Sequence, residues 1–367
     1  MTARTPTTAP TGTAFPPTVT TVSDSGPAPS ASEPDVGSRL TLERHLRAED
    51  RAVALARDVL TGLTADRREL PPKWFYDATG GILFEEITRL PEYYPTRRER
   101  AILDRHAGDI AAACPADTLI ELGSGSSVKT RLLLDALRDV GSLRRFVAFD
   151  VDETTLTNAG HGLLDAYPDL SVHAVVGDFE RHLPRLPSGG RRLTAFLGGT
   201  LGNLRPEARR EFLRTLREQA STDDALLLGT DLVKSPDRLV AAYDDGAGVT
   251  AAFNRNVLSV INRELGADFD VRGFAHIAVW NAAENWIEMR LRAVRDQRVT
   301  INSLALTVDF QRGEDLLTEI SAKFTPDGIT AELAAAGWAT AQRWTDAEGD
   351  FVVTLATPSS VPTGAPV

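Results

Sequence analysis

The chain has 367 residues and 42% hydrophobic content, with 51 acidic residues against 40 basic ones and a formal net charge of −11. That is room for one large or two ordinary globular domains, and a surface that repels phosphate backbones, with no basic patch to offset it. The single cysteine, Cys114, excludes an intrachain disulfide and a cysteine-built zinc site, and the six histidines fall at no ligand spacing, so no metal is expected.

No apolar run approaches the ~18 residues of a spanning helix. The protein is therefore expected in the cytoplasm with no nucleic-acid or membrane partner, and a monomer is the expectation for its assembly. Only four lysines occur, at 73, 129, 234 and 323, which makes each position more informative than a lysine ordinarily is.

Residues 1–37 are rich in Thr, Pro, Ser and Ala and lack the contiguous apolar core of a signal peptide, so they predict a disordered tail. From Leu40, "TLERHLRAEDRAVALARDVLTGL" predicts a helix with Leu46, Val53, Leu55, Val59 and Leu60 broadly on one side, stopped by Pro71 and Pro72. "WFYDATGGILFEEITRLPEYYPTRRERAIL" then predicts a break at Gly80–Gly81, a short helix, the Pro-bracketed pair Tyr93–Tyr94, and the start of another helix.

From residue 117 the rhythm becomes strand, loop, helix. "DTLIEL", "RRFVAFDVD", "SVHAVVGDF", "RLTAFLGGTLGN" and "DALLLGTDLV" are the apolar strands, and "PEARREFLRTLREQA" opens on Pro206 at the first-turn position a proline tolerates. Such alternation predicts a parallel, doubly wound sheet. After residue 234 it gives way to helix, turn, helix and then strand-like "NWIEMRLRAV" and "SLALTVDF", an inserted α+β unit. "WATAQRW" and "FVVTLAT" around "TDAEGD" predict a closing antiparallel hairpin.

"ELGSGSS" after the first of these strands is the informative loop. Gly123 and Gly125 match the first two glycines of a dinucleotide fingerprint, but Val128 stands at the third. Acidic-x-Gly-x-Gly at a strand end points instead to S-adenosylmethionine (SAM), which has no phosphate to cradle and needs close backbone approach. Asp150 ends the next strand, where a carboxylate accepts from both ribose hydroxyls. Asp178 ends the third, placed for the adenine amino group, with the Phe179 amide toward the ring. Lys129 lies within reach of the cofactor carboxylate, a solvated helix lysine being the alternative.

"LPPKWFYDATGGILFEEITRLPEYYPTR", "IELGSGSSVKT", "FLGGTLGNL", "LLLGTDLVK", "AYDDGAGVTAAFNRNVL" and "TEISAKF" together resemble the histidine-specific SAM-dependent methyltransferases of ergothioneine biosynthesis, from about residue 45 to 357. The resemblance implies an α/β, Rossmann-like SAM-dependent methyltransferase fold with an additional α+β substrate-binding domain. Residues 97–233 plus 324–358 would bind SAM, and 38–96 plus 234–323 the substrate. It implies trimethylation of the α-amine of L-histidine to hercynine.

By the same resemblance Tyr93 and Tyr243 hold the substrate carboxylate, Asn203 takes the α-amine, and Glu319 and Ser321 grip the imidazole. Tyr76 lines the space around amine and cofactor and joins Asn203 in catalysis. Tyr94 is left to packing, and Phe253 and Met289 are candidate apolar walls, ordinary core being the stronger expectation for Phe253. The alternatives are a SAM-dependent N-methyltransferase of another amino acid or small amine, and a SAM-binding regulatory protein without turnover.

Overall fold

The structure is a computed structural model that describes residues 39–125, 127 and 129–359. The expected disordered tail lies outside the described residues. Strand β1 (Leu40–Arg44) comes first, then helix α1 (Ala48–Thr64). The helix expected from residue 41 therefore starts only at Ala48. Leu40 and Leu42 alternate with exposed Thr41 and fit the period of a strand. In α1 the buried face is Ala54, Leu55, Val59 and Leu63, whereas Val53 and Leu60 point to solvent, seven residues apart on the other side.

A 3-10 turn (Pro72–Phe75) leads to α2 (Ala78–Ile87). Gly80 and Gly81 do not break this helix. Asp77 caps it by accepting from the Gly80 amide at 2.8 Å. A Cβ on Gly80 would stand 1.7 Å from the Phe75 carbonyl oxygen, so glycine is there for close approach. Helix α3 (Pro95–Ala113) opens on a first-turn proline directly after the tyrosine pair.

The expected alternation follows: β2 (Thr118–Leu122), α4 (Thr130–Asp139), β3 (Arg145–Asp150), α5 (Glu153–Ala166), β4 (Ser171–Val176), the short α6 (Phe179–His182), β5 (Arg192–Phe196), a 3-10 turn (Thr200–Asn203), α7 (Pro206–Gln219) and β6 (Ala225–Asp231). The insertion comprises α8 (Pro236–Tyr243), α9 (Val249–Leu265), β7 (Phe274–Asn281), β8 (Trp286–Ala293), β9 (Gln297–Ile301), β10 (Leu306–Phe310) and β11 (Asp315–Ala322). The chain closes with α10 (Pro326–Ala335) and the hairpin β12 (Trp338–Thr345) and β13 (Phe351–Pro358).

The main sheet has eight strands in the order β1-β4-β3-β2-β5-β6-β13-β12. The first six run parallel, and the closing hairpin adds the antiparallel edge. Strand order reverses at β2, between β3 and β5, and ligands of open α/β sheets sit beyond the carboxyl ends at such a switch point. Residues 40–44, grouped by sequence with the substrate-binding part, belong to this sheet.

Strands β7, β8 and β11 form a smaller antiparallel sheet, with β9–β10 as a separate hairpin. One apolar cluster draws on α1, α2, α8, α9 and the smaller sheets, and two others flank the large sheet. Among the described residues no helix is long and apolar enough to cross a membrane.

Candidate functional site

The loop after β2 is held from below by Glu121, whose buried carboxylate accepts from Ser124 Oγ at 2.8 Å and Thr130 Oγ1 at 2.5 Å. Burial pushes this carboxyl up to about 7 despite those two donors. Gly123 and Gly125 adopt φ of 72° and 47°, and a Cβ on either would meet nothing within 4 Å. The loop thus presents bare backbone to open space, as a ligand that must approach it closely requires.

Asp150 borders the same space. One carboxylate oxygen accepts the Gly125 amide at 3.0 Å, and the other accepts the Val151 and Asp152 amides at 2.7 and 3.2 Å. Burial nevertheless raises its pKa above the usual carboxylate range. Asp178 follows β4, 3.6 Å from Lys73 Nζ, which also lies 3.1 Å from Asp58. Phe179 opens α6 with its ring edge-on to Phe196 and Phe212. These residues stand beyond the carboxyl ends of successive parallel strands and fit SAM, which has a ribose, an adenine and an amino-acid moiety to be met.

Lys129 is not a solvated lysine. Its ammonium donates to Glu99, a fully buried carboxylate on α3 that also accepts the Gly198 amide at 2.7 Å. Gly229 makes room for that carboxylate, since a Cβ there would lie 1.9 Å from Glu99 Oε1. Glu99 thereby ties α3 to the cofactor loop and to the β5 end, and sequence reasoning missed it.

A cleft opens beside this region. The segment between β1 and β2 contributes Tyr76 and Tyr93, β5 leads to Asn203, the inserted helices bring Tyr243 and Phe253, and the small sheet adds Met289, Glu319 and Ser321. All six residues expected around the substrate are in this lining. Gly202 makes the join: a Cβ there would sit 2.7 Å from the Ala322 carbonyl oxygen, so the turn carrying Asn203 presses against β11.

The Asn203 carboxamide and the Tyr93 hydroxyl make no hydrogen bond with the described residues. Neither does the Glu319 carboxylate, although Glu319 is only 8% exposed. Burial, partly offset by the Lys323 ammonium, raises Glu319 to about 7. Burial also lifts the Tyr76, Tyr93 and Tyr243 phenols well above their ordinary value. They remain protonated donors. The Glu319 and Asp150 carboxylates both act on Tyr76, which lines the cleft.

Tyr94 does more than pack. Its hydroxyl donates to Asp231 at 2.7 Å and accepts from Lys234 at 2.7 Å, with Lys234 and Arg238 over its ring. Asp231, at the end of β6, also pairs with Lys234 at 2.5 Å and Lys323 at 3.0 Å. Lys323 reaches Tyr243 Oη and Ser321 Oγ, each at 2.9 Å. Asp231, Lys234 and Lys323 are functional-region residues missed from the sequence, and the scarcity of lysine was the available signal.

Because folding raises Glu319, its protonated form favours the native state. That stability is complete below 4.5 and is lost as pH rises through about 7. Glu319→Gln should therefore stabilise the ligand-free protein near pH 8 by up to about 3 kcal/mol and far less near pH 5. Thermal unfolding at the two pH values measures this, and an equal gain at both would contradict it.

The profile of the SAM-dependent, histidine-specific methyltransferases matches residues 55–358. Histidine N-alpha-methyltransferase of Mycolicibacterium smegmatis is 57% identical over 317 residues, covering 86% of this chain and 99% of the relative. The protein of the same name from Mycobacterium tuberculosis is 57% identical over 318 residues, covering 87% and 99%. L-tryptophan methyltransferase of Psilocybe serbica is 26% identical over 313 residues, covering 77% and 87%. The chain belongs to the family of SAM-dependent, histidine-specific methyltransferases.

Proposed function

We propose that the chain transfers three methyl groups from SAM to the α-amine of L-histidine, giving Nα,Nα,Nα-trimethylhistidine (hercynine), a step of ergothioneine biosynthesis. One observation carries the reading: a buried carboxylate at Glu319 and the carboxamide of Asn203, both without a hydrogen-bond partner among the described residues, share a single cleft with the phenols of Tyr93 and Tyr243. An amino acid with a hydrogen-bonding ring is the ligand that would use all of them. Residues 97–233 plus 324–358 serve as the SAM-binding part and 38–96 plus 234–323 as the substrate-binding part, apart from the strand at 40–44.

SAM, held by Gly123, Lys129, Asp150, Asp178 and Phe179, supplies an electrophilic methyl group when bound. The chain's own residues then have two tasks, alignment and presentation of a neutral amine. Tyr93 and Tyr243 donate to the substrate carboxylate, avoiding the desolvation cost of another buried cation. Glu319 accepts from an imidazole N–H, with Ser321 on the same ring. Asn203 receives the amine through its side-chain oxygen, which orients the nitrogen without protonating it.

Since the phenols stay protonated, the proton shed before each transfer leaves through water rather than to a tyrosine. The π face of Tyr76 can meet the cation that builds up, worth ~0.5–2 kcal/mol. Anchoring by both ends, away from the reacting nitrogen, keeps the dimethyl intermediate in place for the third round. Neither a metal, a nucleic acid nor a membrane is needed, and one chain acting in the cytoplasm suffices.

Incubation with SAM and each of the twenty amino acids, followed by mass spectrometry, tests this. Histidine should gain one, two and finally three methyl groups. No added methyl on histidine, or preference for another amino acid, would contradict it. Glu319→Ala should cut the preference for histidine over aromatic amino acids by about 5- to 150-fold in kcat/KM, the cost of an unpaired ring N–H.

A further inference from the structure

Lys323 directly follows β11, and its side chain is 1% exposed. An ammonium has three N–H donors and accepts nothing. Here the three acceptors are Tyr243 Oη at 2.9 Å, Ser321 Oγ at 2.9 Å and Asp231 Oδ2 at 3.0 Å. Tyr243 Oη and Ser321 Oγ are themselves 2.7 Å apart, so one of them donates to the other.

The two hydroxyls hold two protons between them. One lies in their mutual bond, and Lys323 can take neither. A single donor therefore remains for the cleft. If a substrate carboxylate rests on Tyr243, as the histidine reading has it, that carboxylate claims the donor because it can only accept. Ser321 must then give its proton to Tyr243, and a lone pair is all it has left for the ring. Glu319 stands two residues earlier on the same face of β11, another acceptor when ionised. The imidazole so meets two acceptors, whereas a neutral ring carries one N–H.

We propose that Lys323, backed by Asp231, is a positioning residue that fixes the proton order of Tyr243 and Ser321, so that the site takes the histidine ring together with one additional proton shared between the ring and Glu319. The groups that act on Glu319 are consistent with holding that proton. Tyr76 and Tyr93 face it from the segment between β1 and β2 and Tyr243 from α8, all three neutral. Lys323, just past the end of β11, is the cation that acts on it, itself paired with Asp231 from β6. Burial already disposes Glu319 to keep a proton near neutrality.

The product itself is the best probe, since trimethylhistidine has no titratable amine to confuse the count. At pH 8 its free ring and the free enzyme's Glu319 are both largely deprotonated, so binding should draw about 0.9 proton from solution. Calorimetry in buffers of different ionisation enthalpy reads this directly. In Glu319→Gln the uptake should fall below about 0.2 proton.

Lys323→Met should weaken binding about ten- to hundred-fold and also abolish most of the uptake. Without the cation holding both hydroxyls, Ser321 is free to turn its own proton toward the ring, so that a neutral ring satisfies both Ser321 and Glu319. Tyr243→Phe leaves the Asp231–Lys323 pair intact and should lose the uptake likewise, which serves if Lys323→Met does not fold. An uptake below about 0.2 in the unaltered enzyme overturns the shared proton. Full uptake in Lys323→Met or in Tyr243→Phe overturns the positioning role. If neither histidine nor trimethylhistidine binds at all, the histidine reading fails and takes this inference with it.

Discussion

Asn203→Ala lowers kcat for histidine methylation by about 10²-fold, with a smaller rise in KM. Asn203 closes the 3-10 turn after β5, and Gly202 lets that turn press against the backbone of Ala322, the last residue of the strand that carries Glu319 and Ser321. The Asn203 carboxamide can accept from an amine while leaving the lone pair free. The carboxylate and imidazole anchors survive in the variant, so histidine still binds, but its nitrogen is no longer aimed. A misplacement of about 1 Å at the reacting atom is enough for the stated loss. Steady-state kinetics with saturating SAM decides the matter. An unchanged kcat with a raised KM would make Asn203 a binding residue alone.

Asp231→Ala destabilises the protein by about 3–5 kcal/mol, because it strands two buried ammonium groups at once. Asp231 is 3% exposed, and the Lys234 and Lys323 side chains are 9% and 1% exposed. Tyr94 loses its acceptor as well. A chain of this size should then unfold about 4–7 °C lower. Thermal unfolding of the ligand-free protein at pH 8 provides the comparison. A midpoint within about 2 °C of the parent would mean that water already compensates the lysines. The ion cluster ties the end of β6 to the end of β11, where a bridge between Leu232 and Phe324 also joins them. Loss of Asp231 should therefore loosen the cleft along with the fold.

The large sheet was legible because its central strands are short, continuous apolar runs. β2 and β6 are buried along their whole length and read as nothing else. The closing hairpin was equally plain. β1 was not, since five residues of "LTLER" fit the start of a helix as well as a strand, and only pairing with β4 decides. β7 escaped notice because it is half-buried over most of its length and shows no clean alternation. Gly80–Gly81 looked like a break because local propensity cannot foresee the Phe75 carbonyl beneath the helix.

In the site, the Gly123 loop with Asp150 and Asp178 followed from strand ends and loop chemistry alone. Tyr93, Asn203, Tyr243, Glu319 and Ser321 came through resemblance, and the cleft gathers them. The ionic framework behind them could not be read, because Asp231 and Lys323 are 92 positions apart and meet only when the two sheets pack. Tyr94 packs in the core as expected, but the ionic partners of its hydroxyl were hidden for the same reason, being far away in sequence.

The central claim is that one cleft grips histidine at both ends and leaves its nitrogen facing the methyl donor. A crystal structure of the enzyme with S-adenosylhomocysteine and L-histidine tests it most directly. The imidazole should lie within hydrogen-bond distance of Glu319 and Ser321, the carboxylate on the Tyr93 and Tyr243 hydroxyls, and the α-nitrogen on Asn203 Oδ1, turned toward the cofactor sulfur. An imidazole away from residues 319–321, or an α-nitrogen turned from the sulfur, would contradict it.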